Sequence, residues 1–338
     1  MRTPILPLLR GLSALAIALA MTGLANADDS ERLATARSML GLAGTYMLQG
    51  RPQEAVRLME KALSVQRKLL GVEDPQTQDT MGLLSSTLTS LGRYPDADLL
   101  DEELYNVLRK TLGADHPKTI ESMVNLAVSS VAVGRFDLAL QLSDAAVAWY
   151  RKRGDTSSPQ AVEAMSNLAG IEVALGRYDK AVVLDELVYA SQHKRLGPQA
   201  LDTLVSMVAL ANDYAELGRA SDAVRLAERA KPLLQSRLGS DHLEFVRNQR
   251  TLAKAYASLG NTPTALALGE GALDHLRRNL GANHPESAMA AVVVADIYEA
   301  LGRAQAARLL RASAFPTLER SLGPQHSKTR QLAESLGQ

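Results

Sequence analysis

The sequence contains no cysteine, so disulfides and thiolate chemistry are both excluded. It has no surplus of either charge, with 37 Lys and Arg against 37 Asp and Glu. That balance argues against general nucleic-acid binding, which draws on a basic surface. Aromatics are few: one Trp, three Phe and nine Tyr. The familiar catalytic signatures are missing too. There is no nucleophile elbow, no Walker phosphate loop, no Rossmann glycine pattern and no H-E-x-x-H. Past the first 27 residues there is no linker, low-complexity tract or block of like charge. No enzyme, cofactor or metal is expected from such a chain.

The one membrane-like stretch lies at the start. Arg2 and Arg10 mark a basic beginning, an apolar run follows from Gly11 to Leu24, and Ala25-Asn26-Ala27 supplies small residues for cleavage. This reads as a secretory signal peptide over 1–27, cut after Ala27, because the run is too short to span a bilayer well. No twin arginine is present, and no cysteine follows to carry a lipid. The leader holds two Arg and no acid, which leaves the rest of the chain two charges negative. The expected location is the periplasm of a bacterium or the medium outside it, with no integral membrane span left after cleavage.

What the chain has in abundance is a period. Gly50, Gly92, Gly134, Gly176, Gly218, Gly260 and Gly302 stand 42 residues apart without a gap. Ala55, Ala97, Ala139, Ala181, Ala223, Ala265 and Ala307 keep the same step. Eight residues before each glycine sits Leu42, Leu84, Leu126, Leu168, Leu210, Leu252 or Val294, always followed by a small residue. Tyr46, Tyr214, Tyr256 and Tyr298 lie four residues before the glycine, and arginine follows it everywhere except at Asn261. A fixed step of this length marks stacked supersecondary units.

Each unit reads as two helices. The ladder glycine closes the first by taking positive φ. The ladder alanine falls where the second crosses it most closely. A second glycine ends that helix at Gly71, Gly113, Gly197, Gly239, Gly281 and Gly323, but at Gly154 in the third unit, one residue early. Pro75, Pro117, Pro159 and Pro285 then open the next first helix, with Asp74, His116, Ser158 and His284 as caps or neighbours of caps. His116, His242, His284 and His326 occupy equivalent loops of different units, roughly 10 Å or more apart by helix packing. A zinc site needs its ligands ~2 Å from one ion, so these are not read as metal ligands. Gly269-Glu270-Gly271 is read as a packing or flexibility feature of a helix, and Asp101-Glu102-Glu103 as a solvated helix face.

The large-small pair, the tyrosine, the L-G-x-x-H-P segments at Leu112–Pro117 and Leu280–Pro285, and the N-L-A triplets at Asn125–Ala127 and Asn167–Ala169 together resemble the tetratricopeptide repeat, of the 42-residue kinesin light chain type. The resemblance runs from about residue 33 to the C-terminus. It implies an all-α, right-handed superhelical solenoid of seven helix-turn-helix repeats, at about 33–74, 75–116, 117–158, 159–200, 201–242, 243–284 and 285–326. A capping helix at 327–338 closes the row, with Lys328, Arg330, Gln331 and Glu334 on its polar outer side. Residues 28–338 would form one solenoid.

The resemblance also implies that first helices line a concave groove. Its positions fall on Gly41, Gly44, Gly82, Ser86 and Thr89, on Glu121, Asn125 and Val128, on Glu163, Asn167 and Gly170, on Asn212, Glu216, Arg247, Arg250 and Lys254, and on Asp296 and Glu299. An asparagine amide both donates and accepts, so it can hold an extended peptide backbone whatever its sequence. Asn125, Asn167, Asn212, Arg247, Arg250 and Lys254 are the candidate peptide-binding residues. Arg247, Arg250 and Lys254 share one helix face by spacing, which with Asn212 suggests a clamp for a carboxylate. The opposing expectation is that Glu216 and nearby acids neutralise them. The function expected is a non-enzymatic scaffold or adaptor that holds a protein or peptide segment. The alternative is an envelope sensor taking a glycan or small anion in the same groove, ranked lower because sugars favour aromatic platforms.

Overall fold

A computed structural model describes residues 28–337. The expected leader, 1–27, lies outside the described residues. Among those described there are fifteen helices and no strand. They are α1 (Asp29–Leu48), α2 (Pro52–Leu69), α3 (Pro75–Ser90), α4 (Tyr94–Thr111), α5 (Pro117–Ala132), α6 (Phe136–Lys152), α7 (Pro159–Ala174) and α8 (Tyr178–Leu196). Then follow α9 (Leu201–Glu216), α10 (Ala220–Leu238), α11 (Leu243–Ser258), α12 (Thr262–Leu280), α13 (Pro285–Ala300), α14 (Ala304–Leu322) and α15 (Ser327–Leu336). No helix among the described residues is long and apolar enough to cross a membrane. The unbroken period predicts a single row. Two compact units are distinguished, the first ending at Val133 and the second beginning at Gly134, the turn glycine of the third repeat. Within each unit successive helices pack on one another.

The sequence ladders have direct structural causes. All seven ladder alanines are buried at 0–1% exposure, where a larger side chain would force the paired helices apart. At Gly176 φ is +79°, and the amides of Gly176 and Arg177 close back on the carbonyls of Val173 and Glu172 at 2.9 and 2.8 Å. The arginine after the glycine covers the tyrosine before it: Arg51 lies 4.5 Å from the Tyr46 ring, Arg219 4.1 Å from Tyr214 and Arg303 5.4 Å from Tyr298. Asn261 breaks that pattern and instead caps α12 through Thr264 N. Tyr214, Tyr256 and Tyr298 each donate to a glutamate 28 residues earlier, Glu186, Glu228 and Glu270, at 2.8, 3.0 and 2.6 Å.

The loop histidines are helix caps. Nδ1 of His116, His242, His284 and His326 accepts the amide of the residue two further on, at 3.1–3.2 Å. Asp74 does the same with a carboxylate oxygen, and the Ser158 hydroxyl accepts the amide of Ala161, three residues on. Only an unprotonated Nδ1 can accept in this way. Gly154 ends α6 early at φ +68°, and the following loop is organised by Asp155, which accepts from the amides of Ser157 and Ser158. Gly269 is a packing glycine: a Cβ there would meet Ile297 and Val294 at 3.3 Å, whereas Gly271 faces open space.

Two expectations need correction. Asp101 is not on a solvated face. It is 3% exposed in the first unit, facing Ser85, Ser129 and Asp98, and burial raises its carboxyl above the usual range. Its neighbour Glu103 pairs with Arg67 at 2.5 Å. The reason is register: position 101 faces the next first helix, where the second unit puts Asp185 against Asp213. Lys328 is not on an outer face either. Arg330, Gln331 and Glu334 are exposed, but Lys328 turns inward to Glu216 at 2.7 Å.

Candidate functional site

In the first unit, α3 and α5 stand side by side with α4 behind them, and the space between forms a groove of about 350 Å³. Gln78, Gly82, Leu83 and Ser86 come from α3, Glu121, Ser122 and Asn125 from α5, while Leu104 and Leu108 form the floor. Leu83 is 46% exposed in this groove, an apolar contact left open. Lys118 and Asp79 bridge one end at 3.2 Å. The glycines keep the walls low. Gly41 and Gly44 on α1 face open space, and Gly82 approaches only the Leu104 side chain, at 3.7 Å. They are therefore not there for close helix contact. Asn125 is exposed, on one face with Glu121 and Val128. None of its side-chain atoms is held by a hydrogen bond among the described residues, so both functions of the amide are available.

In the second unit, Asn167 is half-buried on α7 between exposed Glu163 and Gly170, also with no side-chain hydrogen bond among the described residues. Asn212, Arg250 and Lys254 line one cavity with Glu216, Asp296 and Lys328, but its volume is only about 30 Å³. Arg247 does not line it. Its guanidinium binds Glu286 at 2.5 Å and Glu244 at 2.6 Å. Arg250 takes the other oxygen of Glu286 at 2.6 Å, and Lys254 pairs with Glu216. So the three cations expected to form an open carboxylate clamp already carry internal carboxylates. The opposing expectation holds for Lys254, which Glu216 neutralises, whereas the sequence did not point to Glu286, which is 36 residues from Arg250 and belongs to the next repeat.

The electrostatics follow from burial. Glu286 is raised by burial, but Arg250 and Arg247 outweigh it and hold the carboxyl below its usual range. Glu216 behaves alike, with Lys328 and Lys254 outweighing burial. Lys254 is lowered, first by burial and then by Lys328. Burial, with Glu216 close by, pushes the Tyr178 phenol up. Beneath Asn212 lies a second acid pair. Asp185 and Asp213 are 6% and 1% exposed, and burial raises both, Asp213 further through the charge of Asp185.

Paired helices with ladder-filled crossings define an all-helical repeat protein. The tetratricopeptide repeat family model matches residues 34–110, 121–192, 160–236 and 244–315, and the chain belongs to that family. Among solved structures it is similar to a Podosopora anserina protein of nearly identical kinesin light chain, tetratricopeptide-like repeats. Identity there is 30%, covering 60% of this chain and 96% of that one, with a TM-score of 0.52. The fold also matches the apo form of RapI at 13% identity, covering 84% and 98%, TM-score 0.64. A third match is the Rap conjugation gene regulator of plasmid pLS20, solved with the Phr* peptide, at 13% identity, covering 89% and 76%, TM-score 0.58. No curated protein matches the sequence.

Proposed function

We propose that this protein is an exported, non-enzymatic scaffold that holds an extended peptide or protein segment on its first helices, with the α3–α5 groove as the principal site. The observation that carries this reading is the contrast between the two units. In the first, a groove of about 350 Å³ presents an unspent asparagine amide and an exposed leucine over low glycine walls. Among the candidate cations of the second, each charge is already matched from within. Asn125 would bind the backbone of the segment by donating and accepting at once, and Leu83 would take an apolar side chain. Asn167 would serve the same role on α7. That the pLS20 Rap regulator, of the same fold, was solved with a peptide supports a peptide ligand here.

The test is capture of a partner from envelope extract by the protein lacking residues 1–27, followed by binding measured with the purified partner. Asn125→Ala should weaken binding at least tenfold without moving the melting temperature, because an exposed amide adds little to stability. Unchanged binding removes the α3–α5 groove as the site. Export is tested separately by the mass of the native protein, which should begin at Asp28. A chain retaining Met1 in the membrane fraction would instead support an uncleaved anchor.

A further inference from the structure

Helix α15 does more than cover the end of the second unit. Its hydrophobic side, Leu332 and Leu336, stays on α14 and α13. Its first turn reaches back 154 residues in sequence to α7. There the Ser327 hydroxyl donates to the Val173 carbonyl at 3.2 Å. Gly176 makes room for it, since a Cβ at that position would lie 3.0 Å from the Ser327 Cβ. Lys328 Nζ donates to Glu216 Oε1 at 2.7 Å and stands 5.5 Å from the centroid of the Tyr178 ring. The first turn of α15 thus ties α14 to α7, α8 and α9, and the contact closes the second unit on itself.

The charges at this contact are not balanced. Glu216 and Lys254 already form a pair, so Lys328 is a second ammonium on one carboxylate. Asp296, another acid lining the cavity, is engaged by Arg311 at 2.8 Å. A carboxylate beside an aromatic face is a seat for a lysine, as an ammonium gains from both. Behind it the cavity of about 30 Å³ is too small for any polypeptide. With the contact in place, the space beside Asn212, Arg250 and Lys254 is no larger than this.

We propose that the Glu216–Tyr178 seat is a lysine-recognition site, filled in cis by Lys328, and that this clasp gates the interior of the second unit against a partner segment that carries a lysine. The gating role rests on the groove reading above; the clasp and the seat do not. Opening separates α15 from α7–α9 while α15 stays on α14, so it gives up two hydrogen bonds, those of Ser327 and Lys328, without unfolding a helix.

The absence of native cysteine allows a direct measurement on the full chain. Exposed Asp179 and Arg330 are changed to cysteine and spin-labelled, and the distance between labels is read by pulsed electron resonance. A single short, narrow distribution is expected. Lys328→Glu, and the milder Lys328→Ala, should lengthen and broaden it. Lys328→Arg, which keeps the charge, should leave it short, whereas Lys328→Met, which keeps the bulk without the charge, should lengthen it, a split that mere loss of packing would not produce. The decapeptide Ser-Lys-Thr-Arg-Gln-Leu-Ala-Glu-Ser-Leu, copied from α15, should bind Lys328→Glu at least tenfold more tightly than the unaltered chain. Its Lys→Glu counterpart should not bind. A distribution indifferent to Lys328 overturns the clasp, and equal binding of the two peptides overturns the lysine seat. Either result leaves the Asn125 test of the first unit standing on its own.

Discussion

Asp213 is a residue whose ionisation opposes folding. It is 1% exposed, one of its oxygens is bonded to nothing, and its nearest partner, Asp185, is another acid. Burial and that neighbour raise its folded pKa above the unfolded value. The stability it allows is therefore complete below the unfolded carboxylate range and is lost as pH rises through the folded one. Glu216, held ionised by its two lysines, adds a further negative charge nearby. Asn fills the same volume without a charge. Asp213→Asn should stabilise the protein at pH 8 by about 1–3 kcal/mol and flatten the fall in melting temperature from pH 5 to pH 9. A variant less stable than the parent at pH 8 would show that the buried carboxyl does not cost the fold stability.

Individual helices were readable because each carries its own punctuation. Pro75, Pro117, Pro159 and Pro285 are the first residues of α3, α5, α7 and α13, and the ladder glycines end the helices before the turns. Those signals are local, and so are caps such as His284. What crosses between elements was not legible. Nothing near Arg250 announces Glu286, and nothing near Asp101 says that its side chain points at Ser85 rather than water. Polarity alone placed Lys328 outside, whereas its direction is set by where α7 and α9 lie in space. For α1 the structure gives a sharper view than sequence could. Gly44 sits mid-helix with nothing within 4 Å of where a Cβ would stand, and its backbone is not left-handed. Gly44→Ala should therefore raise stability by roughly 0.5–1 kcal/mol, read in urea unfolding. A loss would mean that the glycine meets something the helix face does not show.

At the scale of the molecule, the even 42-residue step gave the repeat count and pairing of helices but not the division at Val133, since identical ladders run through both units. The candidate groove in the first unit was partly legible: Asn125, Gly82 and Ser86 stood at positions the family resemblance marks, whereas the floor residues Leu104 and Leu108 come from a helix of the other type. The contact between α15 and α7 has a consequence for how the second unit comes apart. A linear array melts inward from its tips, because a terminal repeat has one neighbour where an inner one has two. Joining the last helix to one near the start of the unit gives the array something like a periodic boundary, and its weakest tip disappears. Amide hydrogens of α14 and α15 should then exchange nearly as slowly as those of α9 and α11, as one cooperative block. In Lys328→Glu the boundary reopens, and the same amides should exchange progressively faster toward Leu336.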